Sequence, residues 1–272
     1  MRIRVQHETT YQFQTPARAV LQVLRMTPRN FEGQHVANWR IDVNMDCRLT
    51  TSEDAFGNIV HEFSADGPVS SFAVLVEGEV ETSDTAGVVR GTRENFPAEL
   101  YLRPTDLTQA NPKLSTWAHD VTSEASDQLG KLHLLLAACH SHAAFDPALG
   151  EATALETFAA QSANAAGLAH LFMAASRSLG APARCISGYV LREEPVGPES
   201  LHVWAEAHVP GLGWVAFDPA YDHCPSDRHI RIACALDYLG ARPVRASHSG
   251  HGEDAKMDIR VVETQAQRQW QS

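Results

Sequence analysis

Cysteine is scarce in this 272-residue chain. Its five cysteines, Cys47, Cys139, Cys185, Cys224 and Cys234, are odd in number and widely spread, and no two form a CxxC pair. That pattern excludes a disulfide framework and a zinc knuckle. Positive charge is also short, with 22 Lys and Arg against 33 Asp and Glu, for a formal net charge of −11. Such a surface argues against non-specific binding to nucleic acid or to anionic membrane, since both need positive charge. Long apolar runs are missing too. The stretch LHLLLAAC (132–139) is far too short to span a bilayer, and the opening MRIRVQHETTYQF holds no apolar signal core. A soluble, cytoplasmic protein is expected. Neither an internal repeat nor a low-complexity tract interrupts the chain.

What is present is core material, 44% hydrophobic against 20% charged residues. At this length about three quarters of the unfolded surface would be buried on folding. Residues 1–95 read as β. Short alternating or β-branched runs (2–5, 11–13, 20–26, 36–43, 59–63, 72–80) are separated by Thr27-Pro28, Phe56-Gly57-Asn58 and Asp66-Gly67-Pro68. Their spacing predicts an N-terminal antiparallel β-sandwich. Residues 96–125 carry Pro97, Pro104 and Pro112 among polar residues and read as a connector. Helical spacing then appears at Leu129, Leu132, Leu135, Leu136 and Cys139. A second helix is expected over about 152–160 and a third from Asn164 to Leu179, stopped by Gly180 and Pro182. Strands return over 183–193, 202–209, 214–220, 228–238 and 256–265, and the polar 240–255 reads as loop. The expectation is an α+β chain whose second domain, 126–272, packs helices on an antiparallel sheet.

One pair of residues carries chemistry. His202 opens a strand on which Trp204, Glu206 and His208 share its face, and Asp218 ends the next strand. A base and its orienting carboxylate on neighbouring strands are two members of a Cys-His-Asp arrangement. The loop PGLG (210–213) decides whether they meet. A four-residue loop puts them on opposite faces, whereas a loop of three or five puts them on one face, offset by two positions. Two unrelated polar residues at strand ends remain the plainer account of the spacing.

The blocks HLFMAASRSLGAPARCISGYV (170–190), HVWAEAHVPGLGWVAFDP (202–219) and DRHIRIACALDY (227–238) resemble the bacterial branch of the transglutaminase-like superfamily. HETTYQF, LRMTPR and DAFGNIV are similar to the β domain that precedes the core in that branch. The resemblance covers nearly the whole chain. It implies a papain-like, transglutaminase-like core and acyl transfer from an amide to an amine or water. The family's nucleophilic cysteine lies near a helix start in a pattern like G-x-C-x-D-x-A-H. Its A-H matches Ala169-His170, so the nucleophile position falls on Ala165, while Ala163 and Gly167 replace the glycine and the aspartate. The histidine and aspartate carry over to His202 and Asp218.

Alanine cannot form a thioester, so the resemblance implies a pseudoenzyme that binds a peptide or protein with exposed amide side chains. Two alternatives are an active amide hydrolase or acyltransferase with a relocated nucleophile or water, and an inert assembly module. Cys224, in YDHCPSD, is the substitute thiol to consider, and Trp204 and Asn164 are candidates to line the cleft. Cys139, Cys185 and His170 read as core. No histidine pair has the spacing of a helical zinc site, so neither metal nor cofactor is expected.

Overall fold

The computed structural model describes residues 1–192, 201–249 and 251–264. The α+β expectation holds, with an antiparallel sheet built on the N-terminal strands and a mixed core of helices on a second sheet. Two long strands dominate the first sheet, β1 (Arg2–Thr27) and β4 (Ile59–Thr82). In β1 the alternation of the sequence becomes alternation of burial. Ile3, Val5, Tyr11 and Phe13 point inward between exposed neighbours.

β1 and β4 pair antiparallel along nearly their whole length, with register breaks around Gln12, Ala17 and Ala19. Gly67 sits at that break. A Cβ there would lie 2.1 Å from the Ala17 carbonyl oxygen, so only glycine lets the strands approach at this bend. On one side of the bend the pair is flanked by β2 (Gln34–Val43) and β13 (His251–Glu263), on the other by β3 (Thr50–Glu53) and β12 (Val244–His248). Tyr11, Phe72 and Val76 from one limb join Val20, Leu24 and Phe63 from the other in a single apolar cluster. The expected sandwich is therefore one continuous six-stranded sheet that bends at its middle, not two separate sheets.

The core begins with β5 (Val88–Val89) and, after two 3-10 turns at 98–102 and 106–108, α1 (Pro112–Val121). There follow α2 (Gln128–His142), β6 (Ala144–Phe145), α3 (Ala154–Ala160), β7 (Ser162–Ala163) and α4 (Ala165–Ser178). Then come β8 (Ala183–Val190), β9 (Leu201–Val209), β10 (Gly213–Phe217), β11 (His229–Ala235) and α5 (Tyr238–Ala241). The sheet order is β11-β8-β9-β10-β5. α4 is buried from Ala166 to Arg177, mostly by apolar residues, with His170, Ser176 and Arg177 hydrogen-bonded inside. Leu168, Leu171 and Phe172 share one cluster with Val203, Ala205 and Ala207 of β9. The Asn164 side chain accepts from the Gly167 N–H at 3.0 Å to start the helix, and Gly180 follows its end at φ +77°.

The two sheets exchange edges. β12 and β13 come from the stretch expected to lie wholly in the core, yet they pair with β1, and the expected loop 240–255 holds much of them. β5, from the N-terminal stretch, pairs with β10. The sequence hides this because edge pairing is set by contacts more than 120 residues apart. Residues 193 and 265, the ends of two expected strands, lie outside the described residues. Among the described residues no helix is long and apolar enough to cross a membrane.

Between the sheets, Ile3, Val5 and Val80 pack against Tyr189, Ile230 and Ile232. His7 is buried in this seam, 2.8 Å from the Tyr189 hydroxyl through Nδ1 and 2.9 Å from Thr9 Oγ1 through Nε2. Burial pushes its pKa down to about 4. The unfolded chain then takes up this proton first, so the contribution is present above the unfolded value of about 6.5 and is lost as pH falls from there toward 4. The loss reaches about 3 kcal/mol by pH 4. In urea titrations at pH 7 and pH 4.5, His7→Gln should shrink the difference between the two midpoints. An unchanged difference places the acid sensitivity elsewhere.

Candidate active site

The β9–β10 hairpin settles the parity question. Val209 pairs with Gly213, so three residues, Pro210 to Leu212, form the loop. Gly211 and Gly213 take φ of +79° and +93°, which glycine adopts without strain. The pairing runs Trp214↔His208 to Phe217↔Ala205. One step further sets Asp218 opposite Trp204, on the face of His202 and offset from it by two. His202 Nε2 lies 2.7 Å from Asp218 Oδ2, with both side chains buried.

Burial alone would raise the Asp218 pKa. The His202 imidazole, and after it His229, outweigh that and hold the carboxyl well below the usual carboxylate range. An ionised carboxylate only accepts, so His202 Nε2 must donate, and Nδ1 is left as the basic nitrogen of the neutral ring. The second oxygen, Oδ1, accepts from the Ala220 N–H at 3.1 Å.

The helix start is placed by a short parallel pairing, Ala144↔Ser162 and Phe145↔Ala163. Ala165 is the first residue of α4. It lines a cavity of about 210 Å³ together with Phe145, Asn164, Arg192, His202 and Tyr238. Ala166 lines the cavity too, and the first N–H groups of a helix have no acceptor within it. Asn164 also donates from Nδ2 to the Leu149 carbonyl at 3.1 Å.

Two of the residues singled out in the sequence lie elsewhere. Trp204 is buried behind the imidazole and is not part of the cavity wall. Its ring stacks on that of His202 with centroids 6.3 Å apart. It occupies the space over Gly188, where a Cβ would come within 2.4 Å of the indole and 2.1 Å of the Ile230 carbonyl oxygen. Gly188→Ala should therefore cost about 1–3 kcal/mol in thermal or chemical denaturation, as overpacking does. A cost below that range would mean that both the Trp204 ring and the β11 backbone at Ile230 give way freely. Cys224 packs against Gly87, away from the cavity lining, and burial pushes its thiol pKa up. It is therefore not positioned as a substitute nucleophile. Cys139 and Cys185 are buried core residues, as expected. So is His170, whose Nδ1 donates to the Ala152 carbonyl at 2.8 Å while Nε2 accepts from the Tyr238 N–H at 3.2 Å.

His229 is the site residue that sequence reasoning missed. Its Nε2 lies 3.9 Å from Asp218 Oδ2, and that of the more exposed His223 lies at 4.0 Å. The three could be taken for a metal cradle. The protonation pattern argues otherwise, because His229 Nδ1 accepts the Ser226 N–H at 3.2 Å and the proton of the neutral ring must sit on Nε2. A ligating histidine has the opposite arrangement, with the second nitrogen donating outward.

Further along the same face of β9, buried Glu206 receives Arg184 Nε at 2.6 Å and Arg231 Nε at 2.8 Å. Arg184 also reaches Glu94 at 2.7 Å and lies 3.9 Å over the Trp214 ring. Burial would raise the Glu206 pKa, but the two guanidiniums lower it further than burial raises it.

Comparisons with known proteins agree with this architecture. Residues 3–81 match the family described as the bacterial transglutaminase-like N-terminal region, and residues 115–219 match the transglutaminase-like superfamily. Together these cover about two thirds of the chain, which belongs to the transglutaminase-like superfamily. An uncharacterized protein of Mycobacterium leprae is 26% identical over 268 residues, covering 92% of this chain and 94% of that protein. One of Mycobacterium tuberculosis is 22% identical over 294 residues, covering 96% and 91%. A crystal structure named as that of a putative cysteine protease from Cytophaga hutchinsonii superposes with a TM-score of 0.80 at 18% identity, covering 98% of this chain and 92% of that one. At that identity the likeness is one of fold.

Proposed function

We propose that this protein keeps the cleft of a transglutaminase-like enzyme without its nucleophile, and that it binds a peptide or protein through an exposed amide side chain. One observation carries the reading. Ala165, at the helix start, lines the same cavity as His202, whose Nε2 is held by Asp218. A methyl group has no electron pair to attack a carbonyl, so the acyl-enzyme step is lost while the recognition surface persists. The cavity has room for one glutamine or asparagine side chain. Its oxygen would meet the N–H groups of Ala165 and Ala166 and the positive end of α4. Of three exposed large apolar residues among the described residues, Leu149 and Leu239 adjoin cavity-lining positions and offer an apolar rim to a peptide backbone.

A second reading is favoured by the intact His202–Asp218 bond. His202 Nδ1 could draw a proton from water and so hydrolyse an amide without a covalent intermediate. Titration calorimetry with a glutamine-containing peptide, followed by an ammonia assay, separates the two. Binding without ammonia release is expected. Ammonia release that disappears in His202→Ala would establish the hydrolytic reading instead, and no heat of binding would remove the peptide from the proposal.

A further inference from the structure

We propose that His229 is a second positioning residue of this site, and that its Nε2–H holds the Asp218 carboxylate in the orientation from which Asp218 fixes the tautomer of His202. The observations come from three elements. β9 supplies His202, the residue that follows β10 is Asp218, and the first residue of β11 is His229. The His229 side chain is 5% exposed, and its Nε2 is buried without a hydrogen-bond partner.

The backbone N–H of Ser226 occupies His229 Nδ1, so in the neutral ring Nε2 carries a hydrogen. That N–H lies 3.9 Å from Asp218 Oδ2, about 1 Å beyond a hydrogen bond. A buried N–H with no acceptor is costly, and a small ring rotation gives it one. The remaining groups around the pair leave this role open. His223 stands 4.0 Å from the carboxylate in a half-exposed position, and Tyr221, engaged with Arg192, flanks the His202 ring at 5.3 Å. Trp204 stands edge-on to His229 at 5.5 Å and blocks its retreat.

The role requires only the His202–Asp218 bond, so it can be judged apart from the reading of Ala165. Glutamine places an amide nitrogen where His229 has Nε2, whereas asparagine places it near Nδ1. Nitrogen-15 NMR of the His202 ring in the otherwise natural chain at neutral pH should show one tautomer, protonated at Nε2. His229→Gln should keep that single tautomer, and His229→Asn should give a mixture of two. In an Ala165→Cys background, thiol alkylation should be about tenfold slower with His229→Asn than with His229→Gln. A residue that merely fills space would make the two variants alike. Identical His202 spectra in both variants overturn the proposal, whatever the thiol does. A thiol at 165 that reacts like free cysteine counts against the reading of Ala165 and leaves the NMR comparison decisive for His229.

Discussion

Ala165→Cys is expected to give a thiol that iodoacetamide alkylates about ten times faster at pH 6 than it alkylates free cysteine. The magnitude follows from two opposing effects. A thiol at the first position of α4, on the cavity that His202 also lines, should have its pKa drawn from about 8.5 to about 6. At pH 6 the thiolate fraction then rises from roughly 0.3% to about half. The more acidic thiolate is also a weaker nucleophile, with a slope of about 0.4–0.5 per pKa unit, and this takes back roughly a factor of ten. About tenfold survives, and the advantage should fade above pH 8 as free cysteine ionises. The new sulfur opens onto a cavity that already exists, so the substitution should not disturb packing. An alkylation rate equal to that of free cysteine across the whole pH range would show that residue 165 and His202 do not form a working pair.

Glu206→Gln should lower stability by about 3–5 kcal/mol, because it leaves two buried guanidiniums facing a neutral amide. At about 2–4 °C per kcal/mol, the melting temperature should fall by roughly 10 °C. The ion pairs on the outer face of β1, such as Arg4 with Glu79, are a useful contrast. Arg4 is about half exposed, and cutting that pair should cost under about 1 kcal/mol. Calorimetric melts of Glu206→Gln and Arg4→Gln measure both. Equal small losses would mean that water reaches Glu206 and screens it. Glu206 is two residues from Trp204 on one strand face, so the same variant should also broaden the NMR signals of the His202 ring.

Much of the site could be read from the sequence, for local reasons. The interval from His202 to Asp218 spans one hairpin, and only loop parity stood between spacing and contact. The glycines at 211 and 213 permitted the three-residue answer without requiring it. Ala165 was placed by the resemblance alone, by setting the family's A-H on Ala169-His170 and counting back, and it is the first residue of α4. His229 was missed because it lies on a strand three places from β10 in the sheet, and no spacing rule connects 218 with 229. Arg184 and Glu206 were missed for a related reason, since they meet by the β8–β9 register, which a single sequence does not state. Trp204 shared the correct face but stays out of the cavity that Ala165 and His202 line, which alternation alone does not report. The bend in the first sheet depends on backbone approach at Gly67, opposite a strand some 50 residues away.

The exchange of edge strands bears on how the gene can be dissected. A fragment ending at residue 243 would strip β1 of both its outer neighbours and leave that long strand open to pairing with other chains. A fragment starting at residue 96 would remove β5 from β10 and leave the carboxyl-terminal strands without a template. Neither half is a self-sufficient module, so the two should melt in a single transition, and limited proteolysis of the intact chain should not release a stable catalytic-type piece.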